Sequence, residues 1–556
     1  ERALTLLRSN ARATLRLGAG TYLLMRHALS GEPLRATPVL RLLEHVLPSP
    51  QAEPLLQLNA QTAIAFFHWL SGTPATALAT IQDALRLAQT TGLHQLDSQL
   101  FVHAAAASLT AGDLDAAEEW LDRLASTTSP LQPFDAGFHH YLACWLALLR
   151  ADLPAAMEHL VHSEKLSTGL GLWFVDAILL QARSQILMQM GNTASATEPA
   201  GRLYSLARAN RSHLFEFTAT LLDAQRALDE NRETQAQELL ARAMAIGRKQ
   251  RLLNIYCWLP RVMARLCAKA LEAGIETEYV RALIRHRTLP PSDDARDLEV
   301  WPWPIKIYTL GRLSIFSNEE SSVFSGKAQG RPLELLQALI ALGGRGVSEE
   351  SLSELLWPNA EGDAAHRAFD TTLHRLRRLL GSERTLLLSD GKLSLNPAVC
   401  WVDVWTFERL LGRLDDLIKL SITTGAESTQ AIARLAARVS AHYRGPFLGG
   451  ETNAAWAIAP RERLLSKFLC QLGTLGRYWE SAGEWGRAAE TYQKAIDVSS
   501  LTEEYYQRLM LVYRTLGHHS EALSVYQRCR ETLLASLGRP PSPGIEALHR
   551  ELETAR

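Results

Sequence analysis

GEWGRAAETYQKAI at residues 483–496 returns as GHHSEALSVYQRCR at 517–530. Gly483 and Gly517, Ala488 and Ala522, Tyr492 and Tyr526, and upstream Trp479 and Tyr513, all stand 34 residues apart. A glycine takes the left-handed backbone that ends a helix, and an alanine lets two helices approach closely. Those residue types at a fixed period read as a stacked helical hairpin, each unit burying its apolar face only against its neighbours.

The front half carries a longer period. Turn-like segments recur as SGTPATA at 71–77, AGDLDAA at 111–117, ADLPAA at 151–156, GNTASA at 191–196 and ENRETQA at 230–236. Anchored on Gly72, Gly112, Ala151, Gly191 and Glu230, the steps are 40, 39, 40 and 39. Stretches with apolar residues three and four apart flank each turn. Ala77, Ala117, Ala156, Ala196 and Ala236 fall where the helices must pack. A helical solenoid of the tetratricopeptide sort is therefore expected over 1–274, presenting a surface for a partner or a signal.

Across all 556 residues, 47% are hydrophobic and 21% charged, as in a soluble globular chain, which excludes extended disorder. The net charge of −1 means that any nucleic-acid binding must come from a local patch. The six cysteines, Cys144, Cys257, Cys267, Cys400, Cys470 and Cys529, have no metal-ligand spacing and read as scattered core thiols of a reducing, cytoplasmic compartment. YLACWLALL at 141–149 is about half a bilayer span, and no signal peptide opens the chain, so no membrane partner is expected. The chain opens at Glu1 in what reads as mid-helix, which predicts the C-terminal part of something larger.

Between the two arrays, Pro290, Pro291, Pro302 and Pro304 predict a linker over 275–304. IKIYTLGRLSIF at 305–316 then predicts two short strands. GRPLELLQALIALGGRG at 330–346 predicts a helix ended by glycines, and Ser348 caps SEESLSELLWP. A third helix is expected over 363–381, DAAHRAFDTTLHRLRRLLG. Phe369, Leu373, Leu376 and Leu380 form its apolar face, and Arg367, Thr371, His374 and Arg378 the opposite one, both at spacings of 4, 3 and 4. Asp390-Gly391 turns a hairpin in TLLLSDGKLSL at 385–395.

Strand pair, three helices, then hairpin is the order of a winged helix. From 364 to 384, arginines 367, 375, 377, 378 and 384 face only Asp370 and Glu383. A third helix so charged suits the major groove, where the planar fork of arginine grips guanine edges or phosphate.

The stretch 305–411, with RPLELLQALIAL, VSEESLSELLWP, HRAFDTTLHRLRRLLG and WVDVWTFERLL, resembles the response-regulator-type winged helix of antibiotic-pathway regulators of the SARP type. The stretch 412–556, with YRGPFLGGE and the 34-residue repeats, resembles their bacterial transcriptional activator domain. The front half is similar, at the level of repeats, to the sensor region of MalT-like regulators. The resemblance implies a mainly α chain, with two tetratricopeptide-like arrays flanking a small α+β winged helix, that binds double-stranded promoter DNA and activates transcription. It implies base contacts from Arg367, Thr371, His374, Arg375 and Arg378, and phosphate contacts from Lys327, Arg331 and Lys392; Arg377, beside the DNA face, joins the phosphate candidates. Relatives often carry a glycine-aromatic pair after the wing turn, where this chain has Lys392-Leu393. RNA polymerase and a second copy on DNA are the partners implied.

No cofactor is expected in these residues. No GxxxxGK[ST] phosphate loop occurs; MalT-like relatives carry an ATP-binding switch, which the resemblance places before Glu1. Neither a nucleophile elbow nor a zinc motif is present, and Asp293-Asp294 and Asp415-Asp416 read as solvated surface, so an enzyme is not expected. Trp301, Trp303 and Trp405 are expected as packing residues. The competing reading is a repeat scaffold whose winged helix makes protein contacts.

Overall fold

The computed structural model describes residues 5, 12–49, 52–127, 133–318, 320–321, 330–360, 362–424, 429–449 and 454–554. The chain divides into two compact units, Glu1–Pro302 and Trp303–Arg556.

In the first unit helices pair across short turns. Pro54–Leu70 pairs with Pro74–Thr91, Asp97–Ala111 with Leu114–Thr127, Pro133–Leu149 with Leu153–Ser167, Trp173–Gln189 with Thr197–Ala209, and His213–Asp229 with Glu233–Gln250. The turns fall where the 39–40-residue steps put them. Gly72, Gly112 and Gly191 have φ of +78°, +82° and +77°, while Ala151 and Asn231 accept the same left-handed backbone at +60° and +57°. All five packing alanines are at most 1% exposed, so the helices meet backbone to backbone.

The expected linker over 275–304 is corrected. Thr277–His286 is a helix that buries Tyr279, Val280, Leu283 and Ile284, and it pairs with Pro260–Glu272 as a further hairpin. The spacing of those four residues is one helical face, which the prolines downstream of it do not interrupt. Of the six cysteines, Cys470 is exposed rather than a core thiol.

In the second unit, strands β1 Ile305–Tyr308, β2 Ser314–Ser317, β3 Glu320–Ser321 and β7 Cys400–Val402 form one sheet in the order β3-β2-β1-β7. β4 Val347–Ser348, β5 Leu386–Ser389 and β6 Lys392–Leu395 form a second, in the order β4-β6-β5. Helices α1 Gly330–Ala341, α2 Glu349–Leu356 and α3 Gly362–Leu379 share one core through Leu335, Leu339, Leu352, Phe369, Leu373 and Leu376. This is a winged helix, with β5 and β6 as the wing. β1 pairs antiparallel with β2 but parallel with β7, Ile305 lying opposite Cys400 and Ile307 opposite Val402.

β7 runs directly into α4 Asp403–Thr424, and α5 Thr429–His442, α6 Ala455–Ser481, α7 Trp485–Val498, α8 Glu503–Thr515, α9 His519–Leu537 and α10 Pro543–Thr554 follow. The 34-residue register holds: Ala488, Ala522, Tyr492 and Tyr526 are buried, and Gly483 and Gly517 have φ of +73° and +76°. α6 and α7 approach so closely that a Cβ on Gly476 would stand 2.4 Å from the Tyr492 ring.

Two devices join the winged helix to α4 and α5. The buried carboxylate of Asp403 accepts from Thr309 N (2.8 Å), Thr309 Oγ1 (2.7 Å), Leu310 N (2.8 Å) and Val404 N (2.7 Å). Burial pushes its carboxyl up to about 6, and the donors pull it back. The YRGPFLGGE segment adds a backbone clasp: Leu448 N donates to Thr309 O at 2.7 Å, Gly449 N to Gly311 O at 2.8 Å, and Gly311 N to Pro446 O at 3.1 Å.

Candidate nucleic-acid interface

α3 presents two faces. Phe369, Leu373, Leu376 and Leu380 are at most 3% exposed and hold the helix against α1 and α2. Arg367, Thr371, His374, Arg375 and Arg378 are all exposed. Gly381, at φ +73°, ends the segment and lets the chain turn toward the wing.

The five are not equivalent. His374, Arg375 and Arg378 have no side-chain partner among the described residues, so three groups able to donate stand open along one helical edge. Arg367 donates from Nε to the Asp363 carbonyl one turn earlier, at 3.1 Å, and Thr371 Oγ1 donates to Arg367 O at 2.8 Å. Both side chains are folded along their own helix, and Asp363 and Asp370 flank Arg367. The positive field is therefore concentrated in the last two turns of α3, where cations also complement the helix dipole.

The candidate phosphate contacts divide in the same way. Lys392 is exposed at the start of β6, directly after the Asp390-Gly391 turn, whose residues have φ of +51° and +67° as a tight hairpin requires. Arg331 pairs with Glu334 at 2.8 Å and donates to the Leu356 carbonyl at 3.2 Å, bracing α1 against the end of α2. Arg377 is half-buried and donates to the Leu386 carbonyl at 3.2 Å, tying α3 to the first wing strand. Lys327 lies outside the described residues. One exposed cation absent from the candidates lies between α3 and the wing: Arg384, without a side-chain partner among the described residues. Its place in the same arginine run was the available signal.

Beside the wing turn, where Gly391 meets α2 and the start of α3, the sign reverses. A groove of about 720 Å³ between α2 and the start of α3 is lined by Glu349, Glu350, Glu354 and His366. His366 contacts Glu349 and lies 3.5 Å from Asp370, and its pKa is raised by the Glu349 hydrogen bond and charge, then by Asp370. The acidic groove and the His374–Arg378 edge thus carry opposite charge within one helix and wing.

Trp405 donates from Nε1 to the Gly343 carbonyl at 3.1 Å, with the Arg345 guanidinium 4.6 Å over its ring, and Trp301 and Trp303 are buried; all three are packing residues. No helix among the described residues is long and apolar enough to cross a membrane.

Residues 402–553 match the family described as the bacterial transcriptional activator domain. The match starts at Val402, so the activator domain takes in α4 as well as the repeats, rather than beginning at 412. Among solved structures, the chain is similar to Mycobacterium tuberculosis EmbR in complex with a low affinity phosphopeptide, at 19% identity over 46% of this chain and 66% of that one, with a TM-score of 0.36. It is also similar to the human IFIT1 dimer with PPP-AAAA, at 12% identity, 96% and 94% coverage and a TM-score of 0.27. The P58(IPK) TPR domain aligns at 11% identity, 89% and 97% coverage and a TM-score of 0.20. At those scores the three likenesses carry no functional argument. No curated protein matches the chain. Residues 402–553 thus carry the likeness to that family, and β7 makes them continuous with the winged helix.

Proposed function

We propose that this chain is a sequence-specific regulator of transcription, an activator, that reads double-stranded promoter DNA with α3. The observation that carries the reading is the open edge of His374, Arg375 and Arg378 on a winged helix continuous with an activator domain. Arg375 and Arg378 reach base edges, His374 stands one turn before Arg378, and Arg384 and Lys392 meet flanking phosphate. Arg367 and Thr371 contribute once they leave their own helix. A helix of this length reads only a few base pairs, so two copies on one site supply genomic specificity. The C-terminal repeats contact RNA polymerase, the front array receives the signal, and the protein works in the cytoplasm without catalysing a reaction.

Selection from a randomised duplex pool, run with the wild type and with Arg375→Ala plus Arg378→Ala, tests this reading. The expected result is enrichment of a motif that the double variant loses. About six phosphate contacts would also cut affinity by roughly a thousandfold between about 50 and 200 mM salt. Absence of duplex binding at low salt would overturn the reading and favour a protein scaffold.

A further inference from the structure

The first unit encloses a cavity of about 260 Å³. Its walls are aromatic: Phe66, Trp69, Phe138, Tyr141 and Tyr256 line it. Trp69 and Tyr256 meet edge to face with centroids 4.9 Å apart, which leaves ring faces as well as ring edges around the space. Gln99, His103 and Asp135 are the polar groups on the wall.

Asp135 is 8% exposed and has no side-chain partner among the described residues. It lines the cavity from the first turn of the helix Pro133–Leu149, where the helix dipole favours a negative group. His103 does not supply the missing charge. Burial holds it down to about 4, so at neutral pH it is an uncharged imidazole that packs against Phe66 with ring centroids 5.3 Å apart. The cavity therefore combines aromatic walls, one negative group and no resident cation among the described residues.

Aromatic faces attract cations through their quadrupole, and a carboxylate does so by charge. Size restricts the occupant further, since an apolar cavity of about 150 Å³ holds benzene. We infer that this cavity is a binding site for a small arylalkylamine, its ring among Phe66, Trp69 and Tyr256 and its ammonium group on Asp135. His103 and Gln99 are placed to accept or donate one further hydrogen bond to a polar substituent. The inference stands apart from DNA recognition, since every residue it uses lies in the first unit.

The test is calorimetric titration of the full chain at neutral pH with three probes of similar shape: phenethylamine, 2-phenylethanol and 3-phenylpropanoate. The expected order is amine first, alcohol weaker by roughly tenfold or more, and no binding of the carboxylate. Asp135→Asn should bring the amine down to the level of the alcohol and leave the alcohol unchanged, while Ala106→Leu, which narrows the cavity, should weaken both. Equal binding of amine and alcohol to the wild type would overturn the assignment of charge, and no binding of either would overturn the site. Both of those outcomes are read on the unaltered protein, so they stand even where a variant fails to fold.

Discussion

The helical solenoid and α3 handle arginine in opposite ways. In the first unit, many guanidinium groups are matched within or between neighbouring helices: Arg150 meets Glu118 at 2.7 Å, Arg226 meets Asp223 at 3.1 Å, Arg183 pairs with Glu164 and Arg265 with Asp229. Such pairs contribute little each, about 0–1 kcal/mol, but they leave the surface locally neutral. On α3, Arg375 and Arg378 stand unmatched while the neighbouring acids, Asp370 and Glu349, are engaged with His366. Among the described residues, unpaired arginines such as Arg41, Arg211 and Arg261 stand exposed in the first unit as well, so what sets α3 apart is that its open arginines lie on a winged helix. Pairing shows which arginines are tied to the fold; being open to a partner also takes a surface that fits one.

The strongest way to break that contrast is to remove the open pair. Arg375→Ala with Arg378→Ala should lower affinity for a selected duplex by roughly thirtyfold to twenty-thousandfold, two contacts at about 1–3 kcal/mol each. The melting temperature should hold. Arg265→Ala in the solenoid should leave duplex affinity unchanged. Fluorescence anisotropy alongside thermal melts reads both halves, and an equal loss in the two variants would erase the distinction.

Asp403 sharpens the comparison from the acidic side. Thr309 and Leu310 are at most 1% exposed, so Asp403→Ala strands their buried donors and should cost about 4 kcal/mol of stability in urea unfolding. Duplex affinity of the protein that remains folded should be retained.

In the first unit acid is the probe. Folding lowers the pKa of His103 from 6.5 to about 4, so below 6.5 the unfolded chain takes up a proton that the folded one refuses. Stability is therefore full above 6.5 and is lost as pH falls toward 4, by about 3 kcal/mol from this group. His140, also held at about 4 by burial and then by His139, His159 and His162, adds in the same direction. Unfolding curves at neutral and mildly acidic pH should show the slope, and His103→Gln should flatten it.

The smallest effect is expected from Arg377→Ala. With its guanidinium on the Leu386 carbonyl, loss should cost about 1 kcal/mol of stability and less duplex affinity than Arg378→Ala. A larger affinity loss than that of Arg378→Ala would return Arg377 to the binding face.

Much of this was legible in the residues. Periods of 34 and 39–40 placed the arrays, the 4-3-4 spacing separated the faces of α3, and Asp390-Gly391 marked the wing. What escaped was set by tertiary pairing. β7 is three residues long and its partner β1 lies almost a hundred residues earlier. Arg331 and Arg377 look like any other surface arginine until Leu356 and Leu386 present their carbonyls. The aromatic cavity gathers residues from Met25 to Tyr256, so no local window contains it.

The parallel pairing of β7 with β1 also has a hereditary consequence. A gene segment ending before Cys400 would encode a winged helix lacking its last ladder strand, the Asp403 carboxylate and the clasp from Leu448. Its β1 edge would be left bare, ready to pair with another chain. Recombination that shuffles whole domains therefore has no clean joint between these two: the winged helix and the helical segment after it travel as one cassette.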